Sequence, residues 1–306
     1  MFFSAYNSFI IICEFFKILN HGCISLTSWV FTTGGSGIVV GHPFDTIKTM
    51  QQTQTVSKTG VNGFQLLRNV WTTYGLRGLF KGLTYPVVTY GATNAAFFCG
   101  AEYTRQVFLK NKADGKLSYF QIYLTGCVGG ICPVAILCPT ELVKIRLQDQ
   151  LNTKRKLYSG SIDCTRKLWQ KHGPLVFTNG MFATALRDIY TWGFYLVTFE
   201  YLRDKLGERG MHYIISELIA GGFAGTVSWT LATPFDVVKS RLQASETKLR
   251  LLDVVKALYR ENGMKAFTRG MFWSAFRAFP SNSVTLFGYA EMMRWCDRFN
   301  QRKYNS

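Results

Sequence analysis

The sequence predicts an all-α membrane protein in which six tilted transmembrane helices form three pseudo-symmetric repeats of about 100 residues. Three observations predict this fold. A Pro-acid-Lys unit recurs three times, its starts 96 and 95 residues apart. A pair of glycines seven residues apart follows each unit, and long apolar runs flank both signatures. The 306 residues would otherwise allow one or two soluble domains or one compact membrane bundle. Composition does not decide, because 48% hydrophobic residues come with a mean hydropathy of only +0.06. Membrane residence has to be argued from pattern.

The first repeat, 25–110, follows a segment, 1–24, to which no role is assigned. Phe2, Phe3 and Phe9-Ile10-Ile11-Ile12 make an apolar patch before Lys17 that is too short and too poorly flanked to be a further span. Helices are expected near 25–51 and 83–108. The odd one ends in Pro43-Phe44-Asp45-Thr46-Ile47-Lys48 and Gln52, and Gly75 and Gly82 follow. The second repeat, 117–206, has helices near 117–148 and 181–204, with Pro139-Thr140-Glu141-Leu142-Val143-Lys144, Arg146, Gln148, Gly173 and Gly180. The third, 212–298, has helices near 212–243 and 271–297, with Pro234-Phe235-Asp236-Val237-Val238-Lys239, Arg241, Gln243, Gly263 and Gly270. Met50 stands where the later repeats have Arg146 and Arg241. Chance could supply one glycine pair, but not three in register with three Pro-acid-Lys units.

The apolar stretches are long enough to cross about 30 Å of hydrocarbon. Gly37 with Gly41, Gly126 with Gly130 and Gly221 with Gly225 repeat at the four-residue spacing that lets membrane helices approach closely. The segments 52–81, 149–179 and 244–269 hold 4, 6 and 6 Lys or Arg and only five acids. If each repeat is a helical hairpin, all three lie on one side, which the positive-inside rule makes the interior compartment. Both termini then face the other way.

The net charge of +17 calls for an anionic partner. Its spread over three similar clusters, not one basic face, argues against nucleic acid. Cys13, Cys23, Cys99, Cys127, Cys132, Cys138, Cys164 and Cys296 lack paired metal spacing and read as small buried hydrophobes. Cys138, directly before the second unit, is the candidate for reaction with thiol reagents. Gly35 and Gly37 form no phosphate loop, because no Gly-Lys-Ser/Thr follows. No Ser/His/Asp set or metal-ligand cluster is visible, so no enzyme, metal or cofactor is implied.

An isolated charge near the bilayer centre costs about 2.5–3.5 kcal/mol. The six charges of the Pro-acid-Lys units therefore need partners, unless they sit at the headgroup boundary. Proline before each pair is expected to kink its helix and turn the lower half inward.

These residues resemble the mitochondrial carrier family from about Trp29 to Asp297, the triplicate unit being its signature. A second family motif on the even helices appears as Glu102 with Arg105, Glu200 with Arg203 and Glu291 with Arg294. Val30, Met50, Asn179, Ala101 and Ala290 depart from the family pattern at single braces or lipid contacts. The resemblance implies a threefold barrel around a central cavity, working by alternating access as a monomer in the mitochondrial inner membrane, its termini toward the intermembrane space. It pairs Asp45, Glu141 and Asp236 with Lys144, Lys239 and Lys48 in a ring closing the matrix side. Gln52, Gln148 and Gln243 are expected to hydrogen-bond across those pairs. The even-helix pairs would form the opposing, cytoplasmic gate. Tyr158-Ser159-Gly160, Lys81-Gly82 and Arg269-Gly270 look like cardiolipin head-group sites.

Charges in mid-helix, away from both gates, mark the substrate site. Seven residues past the glycine that opens each even helix stand Thr89, Arg187 and Arg277, which match the family's substrate contact points. Arg187-Asp188 resembles carriers of amino acids and carnitine, whereas Thr89-Tyr90, with Thr93 and Asn94 one turn deeper, is uncharged. Two arginines and one carboxylate suit a molecule bearing both a carboxylate and a cation. Arg277 could take the carboxylate, Asp188 the cation with Arg187 positioning it, and Tyr90, Tyr190 and Trp192 could offer ring faces. Pro280 and Asn282 lie just beyond Arg277. His42 is expected to pack beside the kink. The plainer alternative is that Arg187 and Asp188 only neutralise each other. The resemblance is to the carnitine/acylcarnitine and basic amino-acid branch, although Thr93 replaces the ornithine-type Glu and Tyr190 the carnitine-type Pro. An anionic substrate such as a keto acid or nucleotide, a uniporter or proton leak, and a membrane receptor on the same fold remain as alternatives.

Overall fold

The computed structural model describes residues 25–54, 62–110, 117–153, 157–245 and 249–277, together with 280, 281 and 284. The segment 1–24, most of the helix expected at 271–297, Cys13, Cys23, Cys296, Asn282, Ala290 and the pair Glu291 and Arg294 lie outside the described residues.

Among the described residues the chain is helical throughout, without strands. Repeat one contributes α1 (Ser25–Thr53), α2 (Gly63–Leu79) and α3 (Thr84–Leu109). Repeat two contributes α4 (Tyr119–Ile131), α5 (Val134–Thr153), α6 (Ser161–His172) and α7 (Met181–Glu208). Repeat three contributes α8 (Tyr213–Ala244) and α9 (Leu251–Asn262), and helix resumes over 271–277. Two 3-10 turns, Pro174–Thr178 and Gly263–Thr268, lead into the even helices of repeats two and three.

The short helices α2, α6 and α9 fall in the basic segments between the odd and even helices. Each lays a four-residue stripe against its own odd helix: Leu66 and Val70, Cys164 and Leu168, Val254 and Leu258. The other face carries the bases. A separate apolar cluster results at the end of each odd helix. Ile47 and Met50 pack with Leu66, Val70, Leu79 and Trp273; Leu142, Val143 and Leu147 with Cys164 and Leu168; Val237, Val238 and Leu242 with Val254, Leu258 and Ala266.

The paired glycines now have a reason. Gly75, Gly82, Gly173, Gly180, Gly263 and Gly270 all have φ between 56° and 85°, where L side chains are strained. The second of each pair also abuts the next repeat. A Cβ on Gly82 would lie 3.3 Å from the Lys144 backbone, on Gly180 2.9 Å from Gln243 Cγ, and on Gly270 3.1 Å from Lys48 Cγ.

Three expectations are corrected. The helix expected at 117–148 is two, bent by 56° between Ile131 and Val134. Pro133 lies at the break, lacking an N–H and crowding the preceding turn. By contrast α1, α5 and α8 run unbroken through Pro43, Pro139 and Pro234. Among the described residues no single helix is long and apolar enough to cross a membrane, and only the bent α4–α5 pair is. The long helices have the length, 26 to 32 residues or about 40–48 Å, but charges and a polar lining dilute them. Finally, close approach is real at Gly126 and Gly130, whose Cβ atoms would lie 2.5 Å from Trp192 O and 2.7 Å from Asp188 O of α7, whereas a Cβ on Gly225 would meet nothing described.

Both glycines have positive φ, but Gly75 (φ 61°, ψ −156°) lies in a region essentially confined to glycine, whereas Gly180 (φ 80°, ψ 4°) is left-handed and crowded by Gln243. Gly75→Ala is expected to cost about 1–3 kcal/mol of backbone strain, and Gly180→Ala about 1–2 kcal/mol of strain plus displacement of Gln243. Thermal unfolding in detergent checks both, and a Gly180→Ala variant as stable as the unsubstituted protein would refute the contact with Gln243.

Candidate functional site

The odd helices α1, α5 and α8 converge at their Pro-acid-Lys units, where each lysine crosses to a neighbouring repeat. Lys48 Nζ lies 2.7 Å from Asp236 Oδ2, Lys144 Nζ lies 2.8 Å from Asp45 Oδ2, and Lys239 pairs with Glu141. All three pairs join different repeats and close a ring. Each ring acid also meets an arginine from an even helix. Arg277 pairs with Asp45, and Arg187 Nη1 lies 3.3 Å from Glu141 Oε1 and 3.1 Å from Asp236 Oδ1. The ring is thus three lysines and three carboxylates, capped on the cavity side by two arginines.

The glutamines do not bridge these pairs, contrary to expectation. Four residues beyond each lysine, they sit one turn away and reach the adjacent odd helix or the start of an even one. Gln52 accepts from Ser240 Oγ at 2.9 Å and donates to Arg269 O at 3.4 Å. Gln148 donates to Thr46 Oγ1 at 3.0 Å, and Gln243 to Asn179 O at 3.5 Å. They tie repeats together below the ring.

Above the ring lies a cavity lined by the six ring residues, Gln52, Thr89, Thr93, Asn94, Phe97, Arg187, Asp188, Trp192, Trp229 and Arg277. Asp188 is 4% exposed. Its Oδ1 accepts from Arg187 Nε at 2.7 Å, while its Oδ2 is buried without a hydrogen-bond partner among the described residues. The α3 wall is neutral and self-satisfied. Thr89 donates to Tyr85 O at 2.8 Å, Thr93 to Thr89 O at 3.0 Å and Asn94 to Tyr90 O at 2.7 Å.

Of the expected ring faces, Trp192 lines the cavity, its ring tilted 33° against Phe97 at 3.9 Å. Tyr90 and Tyr190 do not line it. One step along a helix turns a side chain by about 100°, so Tyr90 is buried behind Thr89, and Tyr190 packs between Phe194 and Phe235 at 4.7 and 5.6 Å. Sequence reasoning missed Trp229, whose ring lies 4.7 Å from Lys48 Nζ and 5.5 Å from Arg277 Cζ. The signal was available: five residues before each proline stand Ile38, Val134 and Trp229, an aromatic in one repeat only. His42 packs on Phe80 with its Nε2 3.1 Å from Lys81 O, outside the cavity.

The even-helix pairs are made within their own helices. Glu102 and Arg105 are 3.6 Å apart on α3, and Glu200 pairs with Arg203 on α7. Spacing i,i+3 lets each of these two acids meet its own base. Cys138 is buried, its thiol donating to Phe177 O at 3.3 Å, which removes it as the accessible thiol. Among the described cysteines Cys99 and Cys132 are exposed, contrary to the reading of them as buried. On α6, burial pushes the Cys164 thiol up to about 12. Nearby, Ser159 N–H donates to Asp163 at 2.9 Å; that bond and Lys167 hold the carboxyl below its usual range.

A helical bundle whose charged cavity is shut at one end by ion pairs between repeats is the architecture of a solute transporter. The chain matches the mitochondrial carrier protein family over residues 24–112, 115–210 and 211–299, and it belongs to that family. It is 33% identical over 285 residues to human solute carrier family 25 member 45, covering 88% of this chain and 97% of that one. To the mouse mitochondrial carnitine/acylcarnitine carrier protein it is 32% identical, covering 86% and 92%. To the human mitochondrial basic amino acids transporter it is 36% identical, covering 82% and 84%. The protein is a mitochondrial inner-membrane transporter of small molecules, and members of its family are transporters, not enzymes.

Because each ring acid has both a lysine and an arginine, loss of either base alone should be cushioned. Lys48→Ala and Arg187→Ala together are expected to destabilise beyond their sum, by about 0.5–3 kcal/mol of coupling, since Asp236 is then left bare. A thermal-unfolding cycle checks this, and additivity would refute the shared contact.

Proposed function

We propose that this carrier moves a small zwitterionic or cationic metabolite, of the carnitine/acylcarnitine or basic amino-acid type, by alternating access. The unpartnered Oδ2 of Asp188 carries the reading. A buried carboxylate oxygen without a partner is costly, so a substrate cation in the cavity is favoured beside it. Arg277, across the cavity and already docked on a carboxylate, offers the matching seat for a substrate carboxylate. Thr89 and Asn94 bound a neutral wall that takes the rest of the molecule, and Trp192 and Trp229 supply ring faces; Tyr90 drops out of that role. Relatives named for carnitine, acylcarnitine and basic amino acids agree with this chemistry.

In this reading the ring of Asp45, Lys48, Glu141, Lys144, Asp236 and Lys239 is the matrix gate, closed here, and Gln52, Gln148 and Gln243 brace it from below. The even-helix pairs form the cytoplasmic gate; the two described ones, Glu102 with Arg105 and Glu200 with Arg203, are paired within their own helices here. A substrate carboxylate at Arg277 competes with Asp45, leaving that acid to Lys144 alone. Binding thereby weakens one gate while the other is free to form, as alternating access requires.

The basic segments on the ring side support termini facing the intermembrane space, with the three repeats as the units bounded above. A monomer needs no partner to complete the cavity, and no nucleic-acid role is proposed. Cardiolipin is supported by glycine-led helix starts beside Lys81 and Arg269, although Asp163 already takes the Ser159 N–H at the second position. One observation favours a second reading. The cavity holds five bases, Lys48, Lys144, Lys239, Arg187 and Arg277, against four acids, Asp45, Glu141, Asp188 and Asp236. An anionic substrate or an anion-driven leak would use that surplus charge.

A thermal-shift screen of the purified protein with carnitine, acylcarnitines, basic amino acids, keto acids and nucleotides tests the choice, since ligands of the folded state raise its stability. Stabilisation by carnitine or basic amino acids is expected, lost in Asp188→Asn. Asp188→Asn and Arg277→Ala should each abolish uptake into proteoliposomes while leaving the protein folded. Stabilisation by keto acids or nucleotides alone, or normal uptake by either variant, would overturn the zwitterion site.

A further inference from the structure

The matrix ends of the odd helices are clamped unequally. Two residues before the glutamine, Arg241 of α8 donates to Gln52 O at 2.8 Å and to Gln54 O, capping the end of α1. Glu261 of α9 holds that guanidinium at 3.0 Å. In the same position Arg146 of α5 donates to Ser245 O, capping the end of α8. A cation there suits a helix C-terminus, whose last carbonyls lack intrahelical donors. The third clamp, from α1 to the end of α5, cannot form, because the position is Met50. That side chain is 2% exposed and packs with Leu66, Val70 and Leu151.

The α1–α5 seam is held by a different device. Asn152, near the end of α5, donates to Met50 O at 3.2 Å and to Thr53 Oγ1 at 3.0 Å, and its Oδ1 accepts from Gln54 at 3.1 Å. The amide caps α1 a second time, so the link runs in the reverse sense and without charge. Neutral hydrogen bonds are roughly half as strong as charge-assisted ones. The same seam contains Asp45, the ring acid shared with Arg277 of the substrate site.

We infer that Asn152 is a positioning residue that stands in for the missing arginine, and that the matrix gate parts first between α1 and α5. The proposal rests on the reading of the ion-pair ring as a gate. It gives the threefold fold a defined opening order, in which the one seam with no arginine clamp beneath it parts first.

The test uses the full chain in nanodiscs, with spin labels introduced as noncanonical amino acids in pairs among Thr72, Gln170 and Arg260. These exposed positions lie three residues before Gly75, Gly173 and Gly263. The 72–170 distance distribution is expected to be the widest of the three without ligand. Asn152→Leu should widen that distribution alone, and adding Met50→Arg should narrow it again while slowing exchange roughly tenfold, by one charge-assisted bond in the closed state. Equal widths in the unsubstituted protein, a widest distribution at another seam, or no effect of Asn152→Leu overturns the proposal. Narrowing by Met50→Arg with unchanged exchange keeps the seam and refutes the ring as the gate, so the two failures are distinct.

Discussion

Six charges placed at one end of three helices must find partners, because the membrane supplies none. In this chain the three lysines find theirs across repeat boundaries, Lys48 to Asp236, Lys144 to Asp45 and Lys239 to Glu141. That constraint sets the rest. The odd helices have to converge, so small or neutral residues line the seam. The even helices have to start close against the lysines, so Gly82 and Gly270 abut Lys144 and Lys48 in the left-handed backbone that glycine allows. Short amphipathic helices then cover the outside of each odd helix end. A ring that holds the bundle shut by Coulomb attraction is also one that competing charges can loosen, and so the same six residues bear on stability and on function.

The two arginines link these roles. Arg187 and Arg277 line the cavity, yet both rest on ring carboxylates. In the proposed mechanism, substrate recognition and gate strength are therefore written in the same contacts, and a ligand that claims an arginine changes how the ring is held. Departures from threefold symmetry make the device directional. The α3 wall is neutral, Trp229 is aromatic where its counterparts are Ile38 and Val134, and Met50 removes one of three clamps. A perfectly symmetric ring would have no preferred seam and no preferred orientation for a substrate with unlike ends.

Spacing made the repeats readable. Triplicate Pro-acid-Lys units and glycine pairs sit at chain positions whose backbone or partner requirements admit few residue types, so they stand out without any structure. Directions were harder. Tyr90 and Tyr190 neighbour cavity residues in sequence but turn away, because helical neighbours diverge by about 100°. The glutamines share the lysine face yet lie one turn off, and reach other helices. The bend at Pro133 was hidden by attention to Pro139, and α2, α6 and α9 were hidden because their narrow apolar stripes are buried in basic sequence. The link between Arg187 and two ring acids, 46 and 49 residues away, has no local signature at all.

The central claim is that the ion-pair ring shuts the cavity on the matrix side while the other end is open. A cysteine at Thr89, in a background lacking the eight native cysteines, tests it in proteoliposomes of defined orientation with a membrane-impermeant thiol reagent. Without substrate, labelling should occur from the cytoplasmic face and be absent from the matrix face, with matrix labelling appearing once a transported substrate is added. Equal labelling from both faces without substrate would contradict the account.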